Sequence, residues 1–115
     1  MEAPTEKLQI FSSILLQEYI RLMTVAVCLQ NPNKDKVVTF KMSENNYQKM
    51  LQEPLQSALL GLDVSWNNGI VSVIPEDKTL AQYSNKVMKE SLLLYCNNYK
   101  DRYSDFISLA DGQNI

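Results

Sequence analysis

The stretch Asp63–Pro75, DVSWNNGIVSVIP, contains an Asn-Gly dipeptide between two short runs that favour β-strands. Asn68-Gly69 favours a two-residue type I′ turn, because both central residues of that turn take positive φ. The dipeptide therefore predicts a β-hairpin, in which it has a structural role in the turn and no catalytic role. The turn also sets the register and puts four apolar side chains on one face, with Trp66 opposite Val71 and Val64 opposite Val73.

A second alternation occurs earlier in the chain. MTVAVCLQ, ending at Gln30, alternates with period two, and VVTFKM, beginning at Val37, does the same. The intervening NPNKDK is dense in turn formers. We therefore predict a first hairpin that pairs Gln30 with Val37 and places Cys28 within a strand. This register would gather six apolar side chains on one face: Val25, Val27, Leu29, Val38, Phe40 and Met42.

Two helices are predicted around the first hairpin. The chain opens with Pro4-Thr5, a typical helix start, and apolar residues then recur at three- and four-residue steps. Ser43 is a favourable N-cap for a second helix that ends at Gly61. Pro54 falls inside this second pattern, so we expect a kink or a division into two short helices there.

A last helix is predicted after the Asn-Gly hairpin. Thr79 is its expected cap, and the helical spacing of apolar residues continues to near Leu109. A break near Asn97-Asn98 is the alternative to one continuous helix. The polar ADGQNI sequence predicts a loose tail from about residue 110.

The order of these elements predicts one small α+β domain over residues 1–115. The expected order is α-β-β-α-β-β-α. Two hairpins, each with one apolar face, can join into an antiparallel sheet of about four strands. The helices are then expected to cover one face of that sheet.

Length, charge and apolar content exclude several classes of protein. The 115-residue chain has a net charge of −2 with mixed signs, so no basic field exists to bind a nucleic acid. Its longest apolar runs are far shorter than the roughly 18 residues of a membrane span, so no membrane association is expected. A polar start without a leader, and two cysteines expected as reduced thiols, predict a cytoplasmic location with the nucleus as the alternative.

The residues needed for common catalytic, metal and cofactor sites are missing from the sequence. Without histidine there is no Ser-His-Asp or Cys-His pair, and Cys28 and Cys96 are expected to be small buried hydrophobes. No glycine-rich phosphate loop occurs. The calcium-loop pattern from Asp63 fails, because its required glycine would be Asn68 and its closing glutamate Ile74. We therefore expect no cofactor, no metal and no enzymatic activity.

Two resemblances bear on the kind of protein. TVAVCLQ…VVTFKMSENNYQKMLQEPLQSAL, about a third of the chain, resembles the hairpin-plus-helix end of a COMM domain. That resemblance implies an adaptor module that dimerises. The second hairpin and the long helix that follow depart from that family. In size and architecture, a small acidic α/β chain ending in a helix also looks like the dimeric chaperones of bacterial secretion systems.

Apolar residues on several sides of the helices lead to a hypothesis about function. On the last helix, Leu80, Tyr83, Val87 and Leu94 are expected to face the sheet. The remaining apolar and aromatic residues of this helix, Leu92, Leu93, Tyr99, Tyr103 and Phe106, cannot all point to the same side. We therefore expect an apolar surface that a protein partner or a second copy of the chain covers, as in a homodimer. The chain would then be a subunit of a complex, an adaptor or a small chaperone. The predicted contact residues are Leu16, Ile20, Leu92, Leu93, Tyr99, Tyr103 and Phe106.

A second hypothesis stays open beside the first. Tyrosines and cysteines can line a small-molecule site or support histidine-independent catalysis. A pocket formed by Tyr83, Tyr95 and Cys96 would favour this alternative. An exposed apolar patch across the last helix would favour the interaction domain.

Overall fold

Helices and strands are interspersed along the chain in the computed structural model, which describes residues 5–32, 35–51, 59–103 and 107–110. Side chains are described for residues 14–32, 35–51, 59–98, 101 and 107–110. The elements, in chain order, are α1 (Thr5–Gln30), β1 (Val38–Met42), α2 (Glu44–Leu51), β2 (Leu62–Asn67), β3 (Ile70–Pro75), α3 (Asp77–Ala81), α4 (Lys86–Tyr103) and β4 (Ile107–Leu109).

The Asn-Gly hairpin predicted from the sequence is confirmed. Asn68 and Gly69 take φ values of 50° and 84°, as the central residues of a type I′ turn require. Strands β2 and β3 pair in the predicted register, with Trp66 opposite Val71 and Val64 opposite Val73. The inner face of β3 is buried, whereas Asp63, Ser65 and Asn67 of β2 point to solvent on the other face.

Strand β1 is also confirmed, but its neighbours differ from those predicted. Val38, Phe40 and Met42 are buried and Lys41 is exposed, as the alternation requires. The strand pairs antiparallel with β3 on one side and with β4 on the other. The sheet therefore has the order β2-β3-β1-β4 and is antiparallel throughout the described strands.

The first hairpin predicted from the sequence is wrong. Thr24–Gln30 continues helix α1, so the predicted first strand does not form and Cys28 lies on a helix. The six residues from Met23 to Cys28 are all buried, so this part of the helix has no exposed polar position that would reveal the helical period. The segment TVAVCLQ, which would be the first strand in the resemblance to a COMM domain, is therefore helical in this chain.

Helix α2 begins where its capping residue predicts. The hydroxyl of Ser43 accepts a hydrogen bond from the Asn46 N–H at 3.2 Å, and the Ser43 carbonyl accepts one from the Tyr47 N–H at 3.0 Å. The expected kink at Pro54 lies outside the described residues. Gly61 follows at φ 82° and leads into β2.

The single last helix predicted from Thr79 to near Leu109 is wrong. Thr79 lies inside the short α3, and α4 starts after a turn, where the Asn85 side chain accepts a hydrogen bond from the Val87 N–H at 2.8 Å. Helix α4 continues through Asn97-Asn98 without the alternative break. Leu109 belongs to β4, which pairs with β1, so the chain returns to the sheet.

The core lies between one face of the sheet and the helices. The inner sheet residues Val38, Phe40, Val71 and Val73 belong to the same buried cluster as residues of α1, α2 and α4. Helix α1 contacts α2, α4 and the two central strands. The predicted α+β class, with one four-stranded antiparallel sheet, is therefore confirmed, although the order of elements is α-β-α-β-β-α-α-β.

Candidate functional site

The residues predicted to contact a partner divide into three groups. Leu16, Ile20 and Leu92 are 5 %, 0 % and 3 % exposed and belong to the core, so they are not available on the surface of this chain. Leu93 is half-buried and packs against that core. The side chains of Tyr99, Tyr103 and Phe106 lie outside the described residues.

An exposed apolar surface lies instead on helix α4. We call it the α4 stripe, and it consists of Val87, Met88, Leu94 and Tyr95, which are 68 %, 46 %, 63 % and 55 % exposed. Steps of seven residues, from Val87 to Leu94 and from Met88 to Tyr95, bring side chains back to the same side of a helix. Ser91 is exposed and lies between the two pairs. The four side chains therefore form one stripe of about two helical turns.

The phase of α4 explains why this stripe faces solvent. Leu92 and Cys96, four residues apart, are 3 % and 1 % exposed and anchor the other side of the helix in the core. Helix α4 packs along α1 on that side. The turn at Asn85 separates α4 from α3. The positions of Leu80 and Tyr83 therefore do not determine which side of α4 faces the core. The sequence pattern predicted that Val87 and Leu94 face the sheet. That prediction is wrong, because both side chains point to solvent.

Charged side chains flank the stripe near its N-terminal end. Lys86 pairs with Glu90 at 4.0 Å, and both side chains are largely exposed. Lys89 is also exposed, but it lies seven residues before Cys96 and therefore on the side of α4 opposite the stripe. A surface contact between exposed ions contributes little energy in water, but it can orient a binding partner.

The sequence contained a usable signal for the stripe. Apolar or small polar residues recur at steps of one, three and four along this part of the chain: Val87, Met88, Ser91, Leu94, Tyr95 and Asn98. None of them is charged. The pattern was missed because a continuous helix from Thr79 was assumed, which assigned Val87 and Leu94 to the core. Recognising Asn85 as an N-cap would have corrected the phase.

The pocket that would favour a small-molecule function does not form from its three predicted residues. Tyr95 is 55 % exposed and its neighbour Cys96 is 1 % exposed, so the two side chains point to different sides of α4. Tyr83 lies in the turn between α3 and α4 and packs against the core. Burial raises the pKa of the Cys96 thiol to about 11, which disfavours the reactive thiolate.

A shallow cleft of about 370 Å³ lies beside the Leu60–Gly61 turn and α3. Arg21 reaches this turn and donates a hydrogen bond to the Leu60 carbonyl at 2.6 Å. Lys78 and Glu76 form an ion pair at 3.3 Å. The charged groups of the cleft therefore have partners within the protein, and their contacts join α1, the turn and α3.

Metal-binding and membrane-spanning features were assessed within the described ranges. There, no three His, Cys, Asp or Glu side chains lie together in a group able to hold a metal ion. No helix in the described part of the chain is sufficiently long and apolar to cross a bilayer. Comparison with family models, with curated proteins and with solved structures found no match for this chain.

Proposed function

We propose that this protein is a non-catalytic protein-interaction domain that binds a helix of a partner protein through the α4 stripe. The single observation that carries the proposal is the exposure of four large apolar side chains on one face of a helix whose other face is anchored in the core. Contiguous apolar patches on soluble domains often mark sites of protein contact. The expected role is that of a complex subunit, an adaptor or a small chaperone.

The shape of the stripe supports a helix as its occupant. The side chains at Val87, Leu94 and Tyr95 form ridges at the spacing into which another helix can pack. Ser91, between them, has a small side chain and leaves room for a partner side chain to insert. The four side chains are about half exposed or more, so a partner helix can contact them directly.

Site-specific photo-crosslinking in the source cell tests the proposal. A photoreactive amino acid replaces Leu94, inside the stripe, and in a matched variant it replaces Lys89, which is exposed on the opposite side of the same helix. We expect one protein to crosslink from position 94 and not from position 89. Equal crosslinking from both positions, or from neither, would contradict the proposal.

The crosslinked protein is then purified, and its affinity is measured with the unmodified chain and two variants. Leu94→Ser removes a large apolar contact, and we expect the dissociation constant to rise by roughly 10- to 100-fold, the equivalent of losing a buried leucine. Lys89→Gln, the control, should change the dissociation constant little. The free energy of unfolding should be nearly the same in all three chains, because both positions are exposed.

A further inference from the structure

A second surface, independent of α4, lies at the end of the sheet. Strand β2 is the last strand in the order β2-β3-β1-β4, and no strand pairs with its outer side among the described residues. The opposite edge is β4, which has three residues, whereas β2 has six. Short edge strands, lysine and proline protect sheet edges from pairing, and β2 has none of these features.

The register of the hairpin determines which main-chain groups are available at this edge. Asn67 and Ile70 flank the two-residue turn and form a hydrogen-bonded pair, and pairs of that kind recur at every second residue. Gly61 and Glu76 continue this series of hydrogen-bonded pairs, because the Gly61 carbonyl accepts a hydrogen bond from the Glu76 N–H at 2.9 Å. The residues between these pairs, Leu62, Val64 and Trp66, therefore direct their N–H and C=O groups away from β3.

The same three residues carry the apolar side of β2. Leu62, Val64 and Trp66 are half-buried and lie against the edge of the core. Trp66 is held in place, since its indole N–H donates to the Met42 carbonyl at 3.0 Å and its ring stacks on Tyr47 with centroids 6.1 Å apart. A strand added at this edge would meet an ordered apolar surface, which lowers the entropy lost on binding.

We infer that β2 pairs antiparallel with β2 of a second copy of this chain, which makes one continuous sheet across a two-fold axis at Val64. In this register Val64 lies opposite Val64 of the second copy, and Leu62 lies opposite Trp66. All three outward-facing residues then exchange main-chain hydrogen bonds. An aromatic side chain opposite a branched aliphatic one is a favourable cross-strand pair, and it occurs twice by symmetry.

Charge on the outer face selects this register over the one that is shifted toward Leu62. With the axis at Val64, Asp63 lies opposite Ser65 of the second copy, and the serine hydroxyl can donate to the carboxylate. Moving the axis one residue toward Leu62 places Asp63 opposite Asp63, and like charges directly opposite destabilise a strand pair. The second copy is thus complementary to the edge in hydrogen bonding, apolar contact and charge.

The dimer does not depend on the proposed function. Strand β2 and the α4 stripe contain different residues, so pairing through β2 leaves the two stripes of the dimer free for partner helices. A change at Leu94 should leave the dimer unaffected, and a change at Ser65 should leave the α4 stripe unaffected. The two proposals can therefore fail separately.

Sedimentation equilibrium of the purified chain, at concentrations up to about 1 mM, tests the dimer with a matched pair of variants. Ser65 is exposed and opposes Asp63 of the second copy, so Ser65→Asp should weaken the dimer and Ser65→Lys should strengthen it. The opposed pair occurs twice, and we expect each variant to shift the dissociation constant roughly ten-fold, in opposite directions. Combining Ser65→Asp with Asp63→Lys restores opposite charges and should restore the dimer.

Other outcomes would overturn the inference. A chain that stays monomeric throughout this concentration range does not pair through β2. A dimer whose dissociation constant is unchanged by both Ser65 variants, and is raised by Leu94→Ser, associates through α4 and makes the second copy the partner of the α4 stripe. Chemical denaturation of each Ser65 variant confirms that the monomer fold is retained, since an exposed change should alter its unfolding free energy by about 0.5 kcal/mol or less.

Discussion

The hydroxyl of Thr79 donates a hydrogen bond to the carbonyl oxygen of Gly61 at 3.0 Å, and it lies where a side chain at Gly61 would begin. Gly61 has a φ of 82°, and Thr79 is 2 % exposed within α3. This contact joins the start of β2 to the helix that follows β3. It therefore holds both ends of the hairpin at the same point of the core.

The two turn glycines should differ in their sensitivity to alanine. Both have positive φ, but a Cβ at Gly69 meets nothing within 4 Å, whereas a Cβ at Gly61 meets the Thr79 hydroxyl. Gly69→Ala should lower the free energy of unfolding by about 1–2 kcal/mol, the cost of left-handed backbone. Gly61→Ala adds overpacking and should lower it by about 3 kcal/mol or more. Urea denaturation of both variants measures the difference.

A double-mutant cycle isolates the contact at Gly61. Thr79→Ala removes the oxygen that the new methyl group would meet, at the cost of one hydrogen bond. We expect the Gly61→Ala/Thr79→Ala double variant to lose clearly less stability than the sum of the two single changes. Strict additivity would mean that the backbone conformation alone determines the effect at Gly61.

Phe40 joins the sheet to α1 and should be the most sensitive position of β1. Its ring is fully buried and meets the Tyr19 ring edge-on, with centroids 6.3 Å apart. Phe40→Ala should cost about 3–5 kcal/mol in unfolding free energy, as truncations of buried aromatic residues do. Lys41→Ala, on the exposed face of the same strand, should cost about 1 kcal/mol or less. Similar losses for the two variants would contradict the observed facing of β1.

The β2–β3 hairpin could be predicted from the sequence because its determinants are local. A type I′ turn needs residues that tolerate positive φ, and Asn68-Gly69 meets that need without help from the rest of the chain. Once the turn is placed, the pairing of Trp66 with Val71 follows from the count of residues. The facing of β1 was equally accessible, because Val38, Phe40 and Met42 alternate with polar neighbours.

The partner of β1 could not be predicted, because a buried helix can imitate a strand. β-branched residues and period-two alternation favoured a strand at Thr24–Gln30, yet burial on all sides removes the polar residues that would reveal the true period. A signal was present: Leu16, Ile20, Met23 and Val27 keep helical spacing, and no Gly or Pro occurs between Pro4 and Pro32.

Strand β4 illustrates a different limit. Ile107–Leu109 has three residues and no strand pattern of its own, and it continued the helical spacing of the residues before it. Its conformation comes from pairing with β1, which is far away in sequence. The exposed α4 stripe was missed for a related reason, because the turn at Asn85 changes which side of α4 faces the core. Local signals thus predicted the class of fold, and distant contacts decided its topology.

The two cysteines should be protected from alkylation in the folded protein. Both are buried free thiols, and burial raises the pKa of each. For Cys96, a pKa of about 11 in place of 9.0 leaves roughly 100-fold less thiolate at pH 8. Iodoacetamide labelling followed by mass spectrometry should therefore show slow modification of Cys96 in the native chain and fast modification in urea.

An introduced cysteine provides the control for this labelling. Ser91 is exposed on α4, so the thiol in Ser91→Cys should react at the rate of an unfolded chain. The ratio of the two rates within one protein molecule removes differences in reagent and pH. Equal rates at positions 91 and 96 would show that Cys96 is accessible and would contradict its position in the core.

The raised pKa of Cys96 also predicts how stability depends on pH. The folded chain holds the thiol proton more tightly than the unfolded chain does. The contribution of this thiol to the free energy of unfolding is therefore complete below pH 9 and declines as pH rises toward about 11. Two pKa units correspond to about 2–3 kcal/mol. The part of the decline that comes from Cys96 is absent from Cys96→Ala, which retains only the Cys28 thiol.

The comparison of these two chains over a range of pH separates this thiol from other titrating groups. At pH 8, Cys96→Ala should be the less stable chain, because it lacks a buried sulfur atom. Between pH 8 and pH 11 the difference in their unfolding free energies should shift by about 2 kcal/mol in favour of the variant. Tyr19 and Cys28, whose pKa values are also raised by burial, are present in both chains, so most of their contribution to the difference cancels. A difference that stays constant over this range would show that the Cys96 thiol ionises equally well in the folded and unfolded states.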